Sequence, residues 1–284
     1  MSDRLDVRKT YKLLIGGAFP RSESGRSYEV TTAKGAFLAN VAQGSRKDLR
    51  DAVVAARAAQ PKWWGATAYN RGQVLYRLAE MAESRRDELA AHVAQGEGLA
   101  AKAARATVSR SIDRIVWYAG WTDKVAQVLG GTNPVAGPYF NFSVPVPSGV
   151  IAVVCDQESS LEAFVDAVAA PLCVGNTVVC VASQLRPTPA VLLGEMTVTS
   201  DFPGGVLNIV TGLTAELAPV LAAHEDVDGI DLWGAPTESV DELCIIAAGS
   251  IKRVLRPDDR DLATSLRRLR AFVETSTVWH TIGQ

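Results

Sequence analysis

The second half of the chain alternates short, continuously apolar segments with helical segments, and this alternation restricts the fold more than any other feature. The apolar segments are predicted strands at 149–155, 176–183, 204–210, 228–233 and 250–256. The segments between them have helical composition and spacing at 161–172, 188–199, 217–223 and 237–248. Strands that are apolar on both faces and alternate with helices are typical of a parallel sheet covered on both sides. The sequence therefore predicts an α/β fold.

The first half of the chain is predicted to be mainly helical after a short hairpin at 11–26. Apolar or small residues recur at helical spacing over 47–60, 70–86, 87–95 and 101–128. Proline is unfavourable inside a helix, so we expect the first of these helices to stop at Pro61.

Residues 130–149 are rich in proline and glycine and carry alternating aromatic side chains, which is typical of an extended edge segment. A last helix is predicted over 258–274, because leucine and phenylalanine side chains share one helical face there. An extended segment follows at 275–283. Exposed arms more often bury their aromatic residues in a partner than in their own core, so 130–149 is a candidate interface.

Composition excludes several classes of partner. The net charge is −2, which does not favour binding to nucleic acid or to an acidic membrane surface. We find neither an apolar run of about 20 residues nor an N-terminal signal peptide, so we expect a cytoplasmic protein. Four cysteines without a CxxC pair are expected to be reduced core residues, and the three histidines lack ligand spacing, so no metal site is expected.

A polar step, DQESS at 156–160, follows the first apolar strand directly. Ligands bind at the carboxyl ends of strands in open α/β sheets, so this step marks a candidate site. Glu158 is interpreted either as a new acid or base or, preferably, as a solvated turn carboxylate. Cys155 is interpreted as a small core residue rather than a nucleophile.

Several longer motifs resemble the aldehyde dehydrogenase superfamily over about 11–256. They are IGGAF, the Trp63-Trp64 junction, WYAGWTDKV, VPVPSGVIAVV, VGNTVV, DFPGGVLNIVTG and AAHEDVDGI. The resemblance implies a Rossmann-like cofactor domain, which we place at 1–131 and 150–256. It also implies an oligomerisation arm at 132–149, with 257–284 as a helix and a C-terminal strand that joins the arm of a neighbouring chain.

The resemblance also implies where the family's chemistry would lie. The oxyanion-donor asparagine of the family aligns with Glu158, and an ionised carboxylate can only accept hydrogen bonds. The Lys-Pro-Ser-Glu turn that holds the adenosine ribose aligns with 181–184, so that Val181 replaces the lysine while Ser183 and Gln184 remain polar. The phosphate-facing Phe-Thr-Gly-Ser loop keeps Gly234 but has Trp233, which is expected to fill the phosphate position rather than stack on a ligand.

The general base and the cysteine nucleophile of the family have no counterpart after Val254. The chain thus most resembles the degenerate second module of two-module aldehyde dehydrogenases, without the catalytic domain. We expect no catalytic residue, no intact cofactor site and no bound cofactor, although NAD would be the ligand if the pocket still binds. The expected role is a structural or regulatory subunit of a full-length aldehyde dehydrogenase or of a homo-oligomer. The alternatives are an NAD(P)-dependent aldehyde oxidoreductase and a residual dinucleotide-binding module.

The resemblance places the interface on six side chains: Tyr139, Phe140, Phe142, Val144, Val278 and Trp279.

Overall fold

The computed structural model describes residues 8–257 and 265–283 of the chain. Its strands are β1 (Thr10–Tyr11), β2 (Ser27–Thr31), β3 (Phe37–Ala42), β4 (Gly131–Asn133), β5 (Tyr139–Pro147), β6 (Val150–Val154), β7 (Thr177–Val181), β8 (Leu207–Val210), β9 (Gly229–Asp231), β10 (Arg253–Leu255) and β11 (Val273–Thr281). Its helices are α1 (Arg46–Gly65), α2 (Ala68–Ser84), α3 (Arg86–Glu97), α4 (Ala101–Ala119), α5 (Val125–Leu129), α6 (Glu162–Cys173), α7 (Thr188–Thr197), α8 (Thr214–Ala223), α9 (Val240–Ala248) and α10 (Leu266–Ala271).

A five-stranded parallel sheet with the order β10-β9-β6-β7-β8 forms the centre of the molecule. The chain runs outward from β6 through β7 and β8, and then returns to the other side of β6 to add β9 and β10. The strand order therefore reverses between β6 and β9, and a crevice at such a reversal is where ligands bind in α/β sheets. The predicted α/β fold, with a parallel sheet and helices on both faces, is confirmed.

Two apolar layers enclose this sheet. Along β6, Ile151 and Val153 face the layer formed with α2, α4, α6 and α7, whereas Ala152 and Val154 face α1, α8 and α9. Every residue of β6 and β7 is buried, which is why these segments read as continuous apolar runs.

Helix α1 runs through Pro61 to Gly65, so the prediction that this helix stops at the proline was wrong. The proline removes a backbone donor, but the turn after it is held by tertiary contacts. The Trp63 side chain is buried, stacks on Phe202 at 5.8 Å, and donates from Nε1 to the carbonyl oxygen of Leu172 at 3.1 Å. Packing of this one indole therefore outweighs the local helix-breaking preference.

The predicted helix 101–128 is divided into α4 and α5 by a turn at 120–124. The Thr122 hydroxyl donates to the carbonyl oxygen of Ala119 at 3.0 Å, which offers the end of α4 a partner outside the helical pattern. The last predicted helix is shorter in its described part, because α10 ends at Ala271 and strand β11 begins at Val273. Residues 258–264 of that prediction lie outside the described residues.

The arm is a separate three-stranded antiparallel sheet with the order β11-β5-β4. Strand β11 pairs with β5 of the same chain in continuous register from Val273↔Pro147 to Thr281↔Tyr139. Strand β11 thus extends the arm sheet of its own chain, and its contact with the arm of a neighbouring chain stays a prediction. Residues 256–272 connect β10 to β11. At the end of this connection, the Phe272 carbonyl oxygen accepts a hydrogen bond from Asn176 Nδ2 at 2.9 Å.

Candidate functional site

The candidate site lies at the carboxyl ends of β6, β7 and β9, where the strand order reverses. Gly234, after β9, lies directly against the backbone that leaves β6. A Cβ added to Gly234 would lie 2.2 Å from the amide nitrogen of Asp156, so no larger residue fits there without a shift. This close approach brings the two turns together and explains why glycine is required at 234.

The turn at 156–160 is closed by its own hydrogen bonds. Asp156 Oδ1 accepts from the backbone amides of Glu158 at 2.7 Å and Ser159 at 2.6 Å. The Glu158 side chain is 77% exposed and forms an ion pair with Arg186 at 2.7 Å. Arg186 also donates to the Glu158 carbonyl oxygen. Glu158 therefore lies at the surface with a fixed cation, in the manner of the solvated turn carboxylate favoured from the sequence.

Two glutamine side chains link the turn after β6 to the turn after β7. Gln157 donates from Nε2 to the Cys155 carbonyl oxygen at 2.9 Å, and its Oε1 accepts from the Gln184 amide at 2.9 Å. Gln184 Oε1 in turn accepts from the Thr214 amide, the first residue of α8, at 3.0 Å. These side-chain and backbone atoms are thus engaged with one another. Sequence reasoning missed Gln157 and Thr214, because their contacts depend on the strand register.

Val181 and Ser183 also align with the family's ribose-binding turn, but neither has a polar side-chain group that is free to bind a ligand. Val181 is the fully buried last residue of β7. Ser183 is also buried, and its Oγ accepts from the Arg186 amide at 3.1 Å. A ribose diol requires polar side-chain atoms that are free to bind it, whereas Ser183 Oγ and Gln184 Oε1 already accept hydrogen bonds within the protein.

The last residue of β9 forms a buried ion pair with α10 that the sequence did not predict. Asp231 Oδ2 lies 3.3 Å from Arg268 Nη1 of α10, and both side chains are almost completely buried. Burial raises the pKa of Asp231, against the opposing effects of the Arg268 charge and of the Trp233 amide that donates to Oδ1 at 2.9 Å. An aspartate inside the apolar segment DGIDLW was the only local signal for this pair.

Trp233 faces the same layer as α10. Its ring packs partly buried against the core on that side of the sheet, and the Arg268 guanidinium lies 5.8 Å from the ring centroid. The indole therefore contacts Arg268 and lies on the face of the sheet opposite α9.

The helix that would face a phosphate begins with acidic residues. Glu238 lies in the 3₁₀ turn that precedes α9, and Asp241 and Glu242 lie in the first turn of α9. Asp241 pairs with Arg256 at 2.5 Å, so the cation at this helix entrance already has a carboxylate partner. Negative side chains stabilise a helix N-terminus but repel an anionic ligand there.

Cys155 ends β6 beside this site and is buried. The pKa of the Cys155 thiol is raised well above its ordinary value, first by a hydrogen bond with Cys180 and second by burial of the thiol. The nucleophile in thiol catalysis is the thiolate, so this cysteine has the character of a core residue. No cluster of three or more potential metal ligands occurs in the described part of the chain.

The six predicted interface residues all lie on β5 and β11. The register places Phe140, Phe142 and Val144 on one face of the arm, with Val278 directly opposite Phe142. Tyr139 and Trp279 lie on the other face, where their rings contact edge to face at 5.7 Å. Phe140 is 48% exposed and Trp279 61% exposed, so both faces present aromatic surface to solvent.

Between residues 8 and 257 and between 265 and 283, no helix is long and apolar enough to cross a membrane.

Comparison with known proteins agrees with this architecture. The family model described as Aldehyde dehydrogenase family matches residues 19–255. Aldehyde dehydrogenase family 2 member B4 of Arabidopsis thaliana is 32% identical over 86% of this chain and 45% of its own length. Mitochondrial 10-formyltetrahydrofolate dehydrogenase of Mus musculus is 30% identical over 88% of this chain and 28% of its own length.

Solved structures show the same relation. The NAD+ complex structure of aldehyde dehydrogenase from Bacillus cereus superposes with a TM-score of 0.82 at 27% identity, covering 87% of this chain and 50% of the other. A crystal structure from Burkholderia cenocepacia gives a TM-score of 0.82 at 30% identity, with coverage of 86% and 51%. The chain spans about half the length of the solved relatives it matches. On the family match and these similarities, the chain belongs to the aldehyde dehydrogenase family.

Proposed function

We propose that this chain is a non-catalytic aldehyde dehydrogenase-like module with a structural or regulatory role in an oligomer. The observation that carries the proposal is the closed hydrogen-bond network of Gln157, Gln184 and Thr214 at the carboxyl edge of the sheet. Binding a dinucleotide there would require breaking these bonds and burying the unpaired groups. An unsatisfied buried polar group costs about 1–3 kcal/mol, so the network opposes binding.

The chemistry of the oxyanion position supports the same proposal. Glu158 stands where the resemblance implies an amide donor, and its carboxylate pairs with Arg186 at the surface. A carboxylate cannot donate to a developing oxyanion and would repel it. Loss of one such donor alone lowers turnover by about two to three orders of magnitude. We therefore propose that the module has no aldehyde dehydrogenase activity of its own.

The exposed aromatic surface of the arm supports a role in assembly. Phe140 and Phe142 contact each other at 5.3 Å on one face of the three-stranded sheet, and Val278 lies beside them. Contiguous exposed apolar surface of this kind is typical of a protein interface. We propose that the arm binds a full-length aldehyde dehydrogenase, with a second copy of this chain as the alternative partner, in the cytoplasm.

Residual dinucleotide binding is the second candidate function. It is favoured by the retained Gly234 and by the likeness to a structure described as an NAD+ complex. In this case the module would hold a nucleotide without turning over an aldehyde, or would contribute to an NAD(P)-dependent aldehyde oxidoreductase.

The experiment that tests assembly is co-expression of this chain, tagged, with a full-length aldehyde dehydrogenase from the same organism, followed by purification and light scattering. We expect a stable complex that the Phe140→Ser variant weakens. Tyr76→Ser is the matched control, because Tyr76 is also 48% exposed but lies on α2. A monomer that binds no dehydrogenase would refute the assembly role, and aldehyde-dependent NAD(P)H formation by the purified chain would refute the non-catalytic role.

A further inference from the structure

Arg71 is a buried cation at the start of α2. Its side chain is 5% exposed, and Nη1 donates to the carbonyl oxygens of Trp64 at 3.2 Å and Ala66 at 2.6 Å. These are carbonyls at the end of α1, which carry only partial negative charge. The Arg71 Nε is shielded from solvent and has no hydrogen-bond partner.

No carboxylate within the described ranges, 8–257 and 265–283, forms an ion pair with Arg71. Burial lowers the pKa of the Arg71 guanidinium, as expected for a cation removed from water without an opposite charge. Asp123 is the acidic residue beside it in the same depression, but its side chain is 66% exposed and pairs with Lys124 at 3.6 Å. A full negative charge is therefore the missing partner of Arg71.

A cavity of about 260 Å³ opens beside Arg71. Its wall includes the Trp64 ring, whose centroid lies 5.2 Å from the Arg71 guanidinium carbon. Its apolar lining comes from α5, from the end of α6 and from the base of the arm, with Val125, Ala126, Val174, Pro145 and Val273. The volume is below the roughly 300–1,000 Å³ of sites for drug-sized ligands, so the cavity suits a smaller molecule.

We propose that this cavity is a binding site for a small organic carboxylate with an aromatic or branched apolar body. The carboxylate pairs with the Arg71 guanidinium, and the apolar body packs against Trp64 and Val125. Arginine is the residue that best matches carboxylate geometry, and the buried position strengthens the interaction. The proposal does not depend on the proposed function, since the cavity lies away from the carboxyl edge of the sheet.

The site connects the arm to the body of the protein. Pro145 belongs to β5 and Val273 to β11, whereas Arg71 and Trp64 belong to the helical layer. A bound carboxylate therefore contacts both the arm and the helical layer.

The test uses benzoate as the probe and benzamide as its neutral counterpart of the same shape. Binding is measured by saturation-transfer NMR and by calorimetry on the full chain. We expect saturable benzoate binding that is about fivefold or more tighter than benzamide binding, since hydrogen bonds to charged groups are stronger than those to neutral groups by about that factor.

Two variants separate this site from other sites. Arg71→Gln removes the charge but keeps an amide that can donate to the carbonyls of α1, and it should abolish the preference for benzoate. Ala126→Trp keeps Arg71 and fills the cavity from an exposed position, so it should abolish binding of both probes. Ala126→Ser is its matched control and should bind like the wild type. Absence of saturable benzoate binding, equal binding of the two probes, or unchanged binding in Ala126→Trp would each overturn the proposal.

Discussion

Replacing Arg268 by methionine should destabilise the protein strongly, because it leaves the Asp231 carboxylate buried without its cation. The two groups lie 3.3 Å apart and are almost fully buried. Removing one partner of a buried ion pair costs about 3–5 kcal/mol, a large share of the roughly 5–15 kcal/mol of a typical native protein. With a urea m-value of about 2 kcal/mol/M, the unfolding midpoint should fall by about 2 M.

The loss should depend on pH in a defined direction. Burial raises the pKa of Asp231, and the Arg268 charge opposes this rise. A carboxyl group with a raised pKa in the folded state stabilises the fold at low pH, and this contribution is lost as the pH rises through that pKa. Arg268→Met raises the pKa further. The destabilisation should therefore be largest near pH 7 and should shrink toward about pH 4, the ordinary pKa of aspartate.

Urea unfolding followed by tryptophan fluorescence measures both effects. The control is the double variant Asp231→Asn with Arg268→Met, which removes the charge and keeps an oxygen to accept from the Trp233 amide. It should recover most of the lost stability, because a charged group is no longer buried alone. A single variant within about 1 kcal/mol of the wild type at both pH values would refute the reasoning.

Three further predictions follow from the site and the arm. Gly234→Ala should cost about 1–3 kcal/mol of stability, measured by thermal unfolding, because its Cβ would lie 2.2 Å from the Asp156 amide nitrogen; unchanged stability would contradict the packing described. Glu158→Asn should not create aldehyde-dependent NADH formation in a spectrophotometric assay, because one restored amide leaves the contacts among Gln157, Gln184 and Thr214 in place; measurable turnover would contradict the proposed non-catalytic role. Phe142→Ser should weaken any complex formed by the arm in light scattering while leaving the unfolding midpoint nearly unchanged, since the half-buried ring lies on an outer face; an unchanged complex would locate the interface elsewhere.

The order of strands and helices could be predicted from the sequence because it depends on local apolar runs. Segments such as GVIAVVC and NTVVCVAS are apolar on both faces, and this requires cover on both sides of the sheet. The helix-breaking preference of proline gave the wrong end for α1, because burial of Trp63 stabilises one more helical turn after Pro61. Tertiary packing decided that boundary.

The candidate site was predictable only as a position along the chain. Glu158, Gln184 and Trp233 could be placed by their order after the strands, but their contacts could not. The bond between Gln157 and Gln184 depends on the register of β6 against β7, and the pair of Asp231 with Arg268 joins elements far apart in sequence. The sequence also did not predict the register of β11 against β5, because these two strands lie more than 100 residues apart in the chain.

Calorimetric titration of the purified chain with NAD and with NADP tests the central claim most directly. The account predicts no specific heat of binding, because Gln157, Gln184 and Thr214 bind one another at the edge where a dinucleotide would lie. Saturable binding of either nucleotide with micromolar affinity would contradict the account and establish a working cofactor site.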